Sequence, residues 1–543
     1  MKKSLITALL LAAAIWAGCE SHTSTPQPLR PFTGLPENIQ AVMAKPNYSQ
    51  ATWSLLVVDS QTGQTIYNLN STERLLIGSV RKLFSVGTAL ERLGPEHRFI
   101  TTVHRLGEVN AGILDGDLVL RASGDVTMGL RRLPDETMAI TRIDHNEAVA
   151  VGSAELTNTD PRLAYRQLAQ QIADLGVTEI SGEVVVDDRL FEPFDFRGQF
   201  QVTPAFVNED LVDVALQPTI PGSPAEVLEV RPESAAFSVT STAMTVAGSG
   251  TALLEPDPFL PDCIGVPGCG GTVSGELPVD GAPPFSEDYP IVTNFRMVDP
   301  TSFVRTVFIE ELQKAGVTVQ ADLVAPNPSG LLPAPEALTD ANQLARYTSL
   351  PFSQYARLIL KVSFNLGADT TLMQFGLAHG VATLAEALEA ERQTLTGDFR
   401  IGSEEFLFFE GAGGGESAAT AEAVVDFLQT MASRPTAAIF RESLPVLGVD
   451  GTLSILSEYQ TDPSLVGASG NVLAKTGTFA SGTPEGLIRI RCRAMAGYIS
   501  TRSGREITFL LNVNNGGDFE QFIESAMVNE DLATISAILW RDL

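Results

Sequence analysis

Apolar and polar positions follow different rhythms along the chain. Ala51-Thr-Trp-Ser-Leu-Leu-Val-Val-Asp, a turn at Gln61-Thr-Gly-Gln-Thr and then Ile66-Tyr read as a β-hairpin. Over 80–93, Leu83, Val86, Leu90 and Leu93 recur with a helical period, and Gly94-Pro95 stops it. Short β-like runs follow at 99–104, 117–121, 183–186, 226–231 and 237–242, with one helical stretch at 161–176 that ends on its glycine. Residues 253–290, rich in Pro and Gly, read as a long loop. The helical period then returns at 300–316, 351–362, 368–377, 419–432 and 530–540. Near the end, 494–500 and 506–513 flank Thr501-Arg-Ser-Gly as a closing hairpin. This order predicts an α+β domain, 41–115 and 293–543, interrupted by a β-rich insertion at 116–292 that has room for two small domains.

The first residues stand apart. Lys2 and Lys3 precede an apolar run at 5–16, and Ala17-Gly18-Cys19 follows, which reads as a secretory signal peptide over 1–19. The run is short for a membrane span. Cys19 after Ala-Gly resembles a bacterial lipobox, whose cysteine is acylated; ordinary export with an incidental cysteine is the alternative. Residues 20–40, polar and proline-rich, read as a tether. Either route predicts export to the periplasm, and only the lipobox route adds a membrane attachment, a lipid on Cys19.

At 543 residues, with 44% hydrophobic and 19% charged residues, the chain can bury a sizeable core and is not a disordered one. Its formal net charge of −29 repels phosphate backbones and makes nucleic acid a poor partner. In an oxidising compartment, Cys263 and Cys269 are spaced for a small disulfide loop, two free thiols being the alternative. Cys492 reads as a buried small hydrophobe in a strand. The five histidines show no paired spacing, so no zinc signature appears.

Candidate chemistry emerges by elimination, since no G-x-S-x-G, H-E-x-x-H or Walker loop occurs. One S-x-x-K occurs, Ser79-Val80-Arg81-Lys82, at the start of the 80–93 helix. At i and i+3 the hydroxyl and amine share a face. The helix N-terminus disfavours a cation, which favours a neutral Lys82 able to take the Ser79 proton. One K-T-G occurs, Lys475-Thr476-Gly477, followed by Thr478 and then the closing hairpin. S-x-N occurs twice, as Ser363-Phe364-Asn365 and as Ser469-Gly470-Asn471. The first is favoured, because a loop between two helices presents both side chains to a cleft.

In this order the three motifs resemble the penicilloyl-serine transferase set of penicillin-binding proteins and class A β-lactamases. Ser79 and Ser363 stand 284 positions apart, and this long gap resembles the class C low-molecular-mass penicillin-binding proteins, the D-alanyl-D-alanine carboxypeptidase/endopeptidase family. Gly116-Asp-Leu-Val-Leu, Gly124-Asp125, Ser363-Phe-Asn-Leu-Gly-Ala-Asp-Thr and Leu444-Pro-Val-Leu-Gly-Val-Asp-Gly-Thr-Leu are also similar to that family's segments. The chain departs from it at Val126 and Phe364, at Glu410-Gly-Ala-Gly-Gly-Gly-Glu, and in a longer stretch over 131–160.

The resemblance implies a β-lactamase/DD-peptidase-like fold, with an antiparallel sheet flanked by helices and interrupted by the inserted domains. It implies that Ser79 attacks the carbonyl between two D-alanines of a peptidoglycan stem peptide, with Lys82 as base. Ser363 would relay a proton to the leaving amine, Asn365 would orient Lys82 and the substrate, and Lys475 would supply positive potential. Thr476, Gly477 and Thr478 would bind substrate, whose carboxylate the two threonines contact, and Ser79 and Thr478 N–H groups would form the oxyanion hole. It further implies inhibition by β-lactams and no metal or organic cofactor. A β-lactamase-like or D-amino-acid hydrolase on the same site, and an inert cell-wall-binding lipoprotein, are the alternatives.

Overall fold

The computed structural model of the chain describes residues 34–286 and 288–543. Cys19, the 1–19 signal segment and most of the 20–40 tether lie outside the described residues. The tether reading ends too late: a helix spans Glu37–Met43, and Ile39 and Met43 are buried in a core.

Contacts divide the described residues into two compact units, 34–95 with 356–543, and 96–355. The edges therefore fall near 95 and 355 rather than 115 and 292. Strand pairing explains both differences. The strand Ile100–Asn110 pairs with its hairpin partner Ile113–Arg121 on one side and with Gln343–Thr348 on the other, Tyr347 opposite Thr101. That ladder holds both flanks in the inserted unit.

The first unit is built on one antiparallel sheet. Its strands are β1 (Thr52–Asp59), β2 (Thr65–Leu69), β3 (Val472–Gly482), β4 (Ile488–Ser500) and β5 (Glu506–Asn514), in the order β2-β1-β5-β4-β3, with Asp518–Phe519 also paired to β4. Strand alternation sorts the side chains. Leu55, Val57, Met495, Phe509, Leu511 and Val513 pack into one core with Leu532, Ile535 and Leu539 of the closing helix Ala526–Asp542. On β5 the intervening positions are Thr508, Leu510 and Asn512, all fully buried. The other helices of this unit that matter here are α1 (Lys82–Leu93), α2 (Asn365–Leu377) and α3 (Ala421–Ala432).

The inserted unit has its own core. It gathers Leu168 from the helix Leu163–Asp174, Phe303 and Phe308 from the helix Pro300–Lys314, and Phe237 and Phe295. The stretch read as a long loop contains two strands, Leu253–Asp257 and Gly270–Pro278, and the latter is the centre of a four-stranded sheet. Its glycines mark close backbone approach, not a turn. A Cβ at Gly275 would lie 2.1 Å from the Leu253 carbonyl oxygen, and one at Gly271 would lie 2.4 Å from the Phe295 ring. Cys263 and Cys269 are joined as a disulfide in the bend between these two strands. Among the described residues no helix is long and apolar enough to cross a membrane.

Candidate active site

Ser79 lies in a short 3-10 turn, Gly78–Arg81, that runs straight into α1, so the nucleophile candidate precedes the α-helix by one turn. Lys82, the first residue of α1, is fully buried. Its Nζ lies 2.7 Å from Ser79 Oγ, 2.7 Å from Asn365 Oδ1, 2.8 Å from the Ala412 carbonyl oxygen and 3.5 Å from Ser363 Oγ.

Asn365 is the first residue of α2, not a loop residue, because that helix starts three positions earlier than its apolar period indicates. The turn before it is tight. The helix Phe352–Val362 ends, Ser363 takes a left-handed φ of 63°, and the Phe364 N–H donates back to the Ile359 carbonyl. This is a Schellman-type stop with serine in place of the usual glycine, at a backbone cost of about 1 kcal/mol. The strained residue is the one whose hydroxyl Lys475 reaches: Lys475 Nζ donates to Ser363 Oγ at 2.9 Å and to the Thr476 carbonyl at 2.8 Å. The second S-x-N is not part of this cluster; Ser469 and Asn471 bond only to nearby backbone carbonyls, among them Leu447 and Gly467.

Gly477 lets β3 close on the serine turn. A Cβ there would lie 2.1 Å from the Ile77 carbonyl oxygen. One on Gly78 would meet the Thr478 backbone nitrogen at 2.6 Å. Two glycines facing each other thus bring the Thr478 N–H beside the residue that precedes Ser79. Thr476 Oγ1 is bonded to Thr452 Oγ1 at 2.9 Å, and Thr478 is partly exposed.

Several groups the motifs do not name complete the site. The Glu410 loop wraps its own carboxylate: the N–H groups of Ala412, Gly413 and Gly414 donate to it at 2.8, 2.8 and 2.6 Å. That fold aims the Ala412 carbonyl at Lys82. Arg81 anchors the same loop, donating from Nε to the Glu410 carbonyl at 3.0 Å and gripping the buried Glu391 carboxylate with both terminal nitrogens. Burial raises the Glu391 carboxyl above its ordinary range, with the Arg81 charge opposing. Behind Ser363, buried Lys361 donates to both Asp450 carboxylate oxygens, at 2.7 and 2.6 Å, and to the Leu444 carbonyl. Burial lowers the Lys361 ammonium below the usual lysine range, and Asp450 opposes the shift.

Among the described residues, Asp144, His145 and Glu209 of the inserted unit are grouped closely enough to hold a metal. Arg131 already fills that role: it ion-pairs with Asp144 at 2.8 Å and with Glu209 at 2.5 Å. The 131–160 stretch, for which the sequence offers no reading, therefore contributes Arg131, Asp144 and His145 to a buried ion network.

A serine beside a buried lysine, a second serine–lysine pair facing it, and a six-stranded sheet with a helix on its core face fit a serine DD-peptidase of the penicilloyl-serine transferase class. The D-Ala-D-Ala carboxypeptidase 3 (S13) family profile matches residues 35–531, and the chain belongs to that peptidase family. It is similar to a D-alanyl-D-alanine carboxypeptidase of Actinomadura sp. (strain R39), 28% identical over 516 residues that cover 89% of this chain and 81% of the relative. It is also similar to the D-alanyl-D-alanine carboxypeptidase DacB of Haemophilus influenzae, 20% identical over 482 residues and 84% of each chain. The crystal structure of penicillin binding protein 4 from that organism superposes with a TM-score of 0.64 at 18% identity, covering 93% of this chain and 99% of the other. The same fold has been solved with a β-lactam in complex.

Proposed function

We propose that the chain hydrolyses D-Ala-D-Ala bonds of peptidoglycan stem peptides through an acyl-enzyme on Ser79, as a carboxypeptidase and endopeptidase, and that β-lactams acylate the same serine. One observation carries the reading: buried Lys82 Nζ lies 2.7 Å from Ser79 Oγ and is held there by the acceptors Asn365 Oδ1 and the Ala412 carbonyl. As a neutral amine held this way, it would turn its lone pair to the Ser79 hydroxyl hydrogen.

In this mechanism the Ser79 O–H donates to Lys82 and its oxygen adds to the scissile carbonyl. The Ser79 and Thr478 N–H groups receive the developing oxyanion. Lys475 keeps Ser363 Oγ placed to relay the proton from Lys82 to the leaving amine, which returns Lys82 to the neutral amine. Water then cleaves the ester on Ser79, with Lys82 again taking the proton. Thr476 and Thr478 hold the C-terminal carboxylate of the substrate.

The test is fluorescent-penicillin labelling of the protein and of Ser79→Ala, followed by D-alanine release from a stem pentapeptide. A persistent label and D-alanine release, both lost in the variant, are expected. No label on folded protein would remove Ser79 as nucleophile. The export reading belongs with this proposal: lysines 2 and 3, the apolar run and Cys19 direct the chain to the periplasm as a lipoprotein. Palmitate labelling that survives Cys19→Ala would overturn the anchor.

A further inference from the structure

Side chains moor the strand that feeds the serine turn to the sheet. Leu75–Leu76 pairs on one edge with Ala418–Ala419, Leu76 opposite Ala418, and the Ile77 N–H donates to the Ser417 carbonyl at 3.3 Å. On the other edge Asn514 takes the place of a neighbouring strand. Its Oδ1 accepts from the Leu76 N–H and its Nδ2 donates to the Leu76 carbonyl, both at 3.0 Å. Asn512 Nδ2 and Cys492 Sγ donate to the same carbonyl oxygen, each at 3.0 Å. A carbonyl oxygen has two lone pairs, and three donors converge on this one.

The three donors share one face. Asn512 and Asn514 alternate on β5, and Cys492 stands opposite Asn514 on β4. Asn512 and Cys492 are fully buried and Asn514 nearly so. Asparagine is a poor strand former, and a buried carboxamide costs free energy unless its bonds are made. Here they are made to Leu76 and to each other, Asn514 Nδ2 also donating to Asn512 Oδ1 at 3.1 Å. Two asparagines at the end of β5 are thus devoted to one residue, three positions before Ser79.

That residue is a joint. Beyond it the chain enters the serine turn, and beside it Ala418–Ala419 is the exit of the loop whose Ala412 carbonyl bonds Lys82. The two N–H groups assigned to the oxyanion, those of Ser79 and Thr478, belong to different pieces of chain, one on this turn and one on β3. Their separation depends on how the turn is fixed to the sheet. Gly78 and Gly477 set how close the pieces come, since a Cβ on either would overlap the opposing backbone, at 2.6 Å from the Thr478 nitrogen or 2.1 Å from the Ile77 oxygen. A steric stop has no pull of its own, and the hydrogen bonds to Leu76 supply it. We propose that Asn514, with Asn512 beside it, sets the distance between the Ser79 and Thr478 N–H groups by holding Leu76 against β5. The inference deepens the DD-peptidase reading and rests on it. Asn514 is a positioning residue: it acts through Leu76 on the oxyanion site and leaves the partners of Lys82 in place.

The test is Asn514→Leu, which keeps the side-chain size and removes both bonds. Turnover of an acyl-D-Ala-D-Ala peptide and of a thioester with a good leaving group should each fall about tenfold, in kcat rather than KM, because a displaced oxyanion donor slows acylation whatever group departs. An arylboronic acid, which forms a tetrahedral adduct on the serine, should bind about tenfold more weakly. Penicillin-labelling stoichiometry and the acidic limb of the acylation pH profile should stay as in wild type, since Lys82 keeps its partners. A fall in turnover with unchanged boronate affinity, or a shifted acidic limb, would overturn the proposal. So would wild-type rates, or a lowered labelling stoichiometry alone, which is the mark of a purely structural role. A wild type that cleaves neither substrate and takes no penicillin label would instead overturn the DD-peptidase reading. If Asn514→Leu does not fold, Asn512→Leu, which removes a single donor to Leu76, decides: about a threefold loss on the same readouts is expected, and no loss would overturn the proposal.

Discussion

The Ala412 carbonyl oxygen lies 2.8 Å from Lys82 Nζ, and the Glu410 carboxylate holds it there by bonding the Ala412 N–H on the same peptide chain. The proposed base, Lys82, is thus oriented by a loop whose own contribution to it is a backbone carbonyl. That loop carries Glu410-Gly-Ala-Gly-Gly-Gly-Glu, and the Glu410 side chain reaches back over three successive N–H groups.

Glu410→Gln should therefore weaken acylation. The amide keeps the size but offers one oxygen to three donors, and charge-assisted bonds become neutral ones. A loss of about tenfold in the penicillin acylation rate is expected, with about 1–3 kcal/mol of stability. Stopped-flow labelling and thermal melts read both quantities. An unchanged acylation rate beside a lowered melting temperature would show that the loop supports the fold but not Lys82.

Gly477→Ala probes the approach of β3 to the serine turn. The added methyl would sit 2.1 Å from the Ile77 oxygen, and a backbone carbonyl cannot step aside as a flexible side chain can. The strand must move, taking the Thr478 N–H away from Ser79. Acylation should fall by about a hundredfold or more, the scale of a lost oxyanion donor. The inserted unit, which does not contain this residue, should be untouched, and its disulfide and proteolytic resistance provide the control.

The active-site side chains are legible in the sequence for a physical reason: Ser79, Lys82, Ser363, Asn365 and Lys475 are rare chemistry at short fixed spacings. Their supports are not. Any residue can supply the carbonyl that Ala412 supplies, and Glu391 is one glutamate among many until the fold sets it against Arg81. Asn365 was displaced by a residue-pattern effect, because Leu366, Gly367 and Ala368 are all buried and the start of α2 shows no polar face. The two strands missed within 253–290 have the same root. Glycine signals either a turn or a close contact, and only the neighbouring Leu253 and Phe295 decide which. The domain edges were misplaced because they depend on a ladder between residues more than two hundred positions apart, Thr101 and Tyr347.

The inserted unit makes a pH prediction. His145 bonds Asp213 through Nδ1 at 2.9 Å and Glu209 through Nε2 at 3.0 Å, while Asp144 and Glu209 share Arg131. Burial alone would lower the imidazole, but the Asp213 and Glu209 carboxylates outweigh it and raise it from 6.5 to about 10. The folded value lies above the unfolded one. Its stabilisation is therefore complete below pH 6.5 and is lost as the pH rises through about 10. Wild-type stability should fall by about 2–4 kcal/mol over that window relative to His145→Gln, which should be the flatter of the two. Denaturant melts at pH 6, 8 and 10 measure the difference, and parallel curves would show that His145 is neutral in the native state.

Lys361→Met tests whether the support behind Ser363 matters to catalysis. The ammonium bonds Asp450 and the Leu444 carbonyl, and Gly451 packs so closely that a Cβ there would lie 2.6 Å from the Lys361 carbonyl oxygen. This clamp fixes the helix end from which Ser363 turns with its left-handed φ. Methionine fills the same volume without the charge, but leaves Asp450 without its cation, so about 1–3 kcal/mol of stability should go. In the proposed mechanism Ser363 serves the proton relay and not the nucleophile, so the loss should depend on the leaving group. A peptide substrate, whose amine needs a proton, should lose about tenfold in kcat, whereas a thioester with a good leaving group should lose little. Equal losses on both would mean that the clamp supports the whole site and not the relay serine. Asp450→Asn, which keeps the hydrogen bonds in part, should fall between wild type and Lys361→Met on the peptide alone.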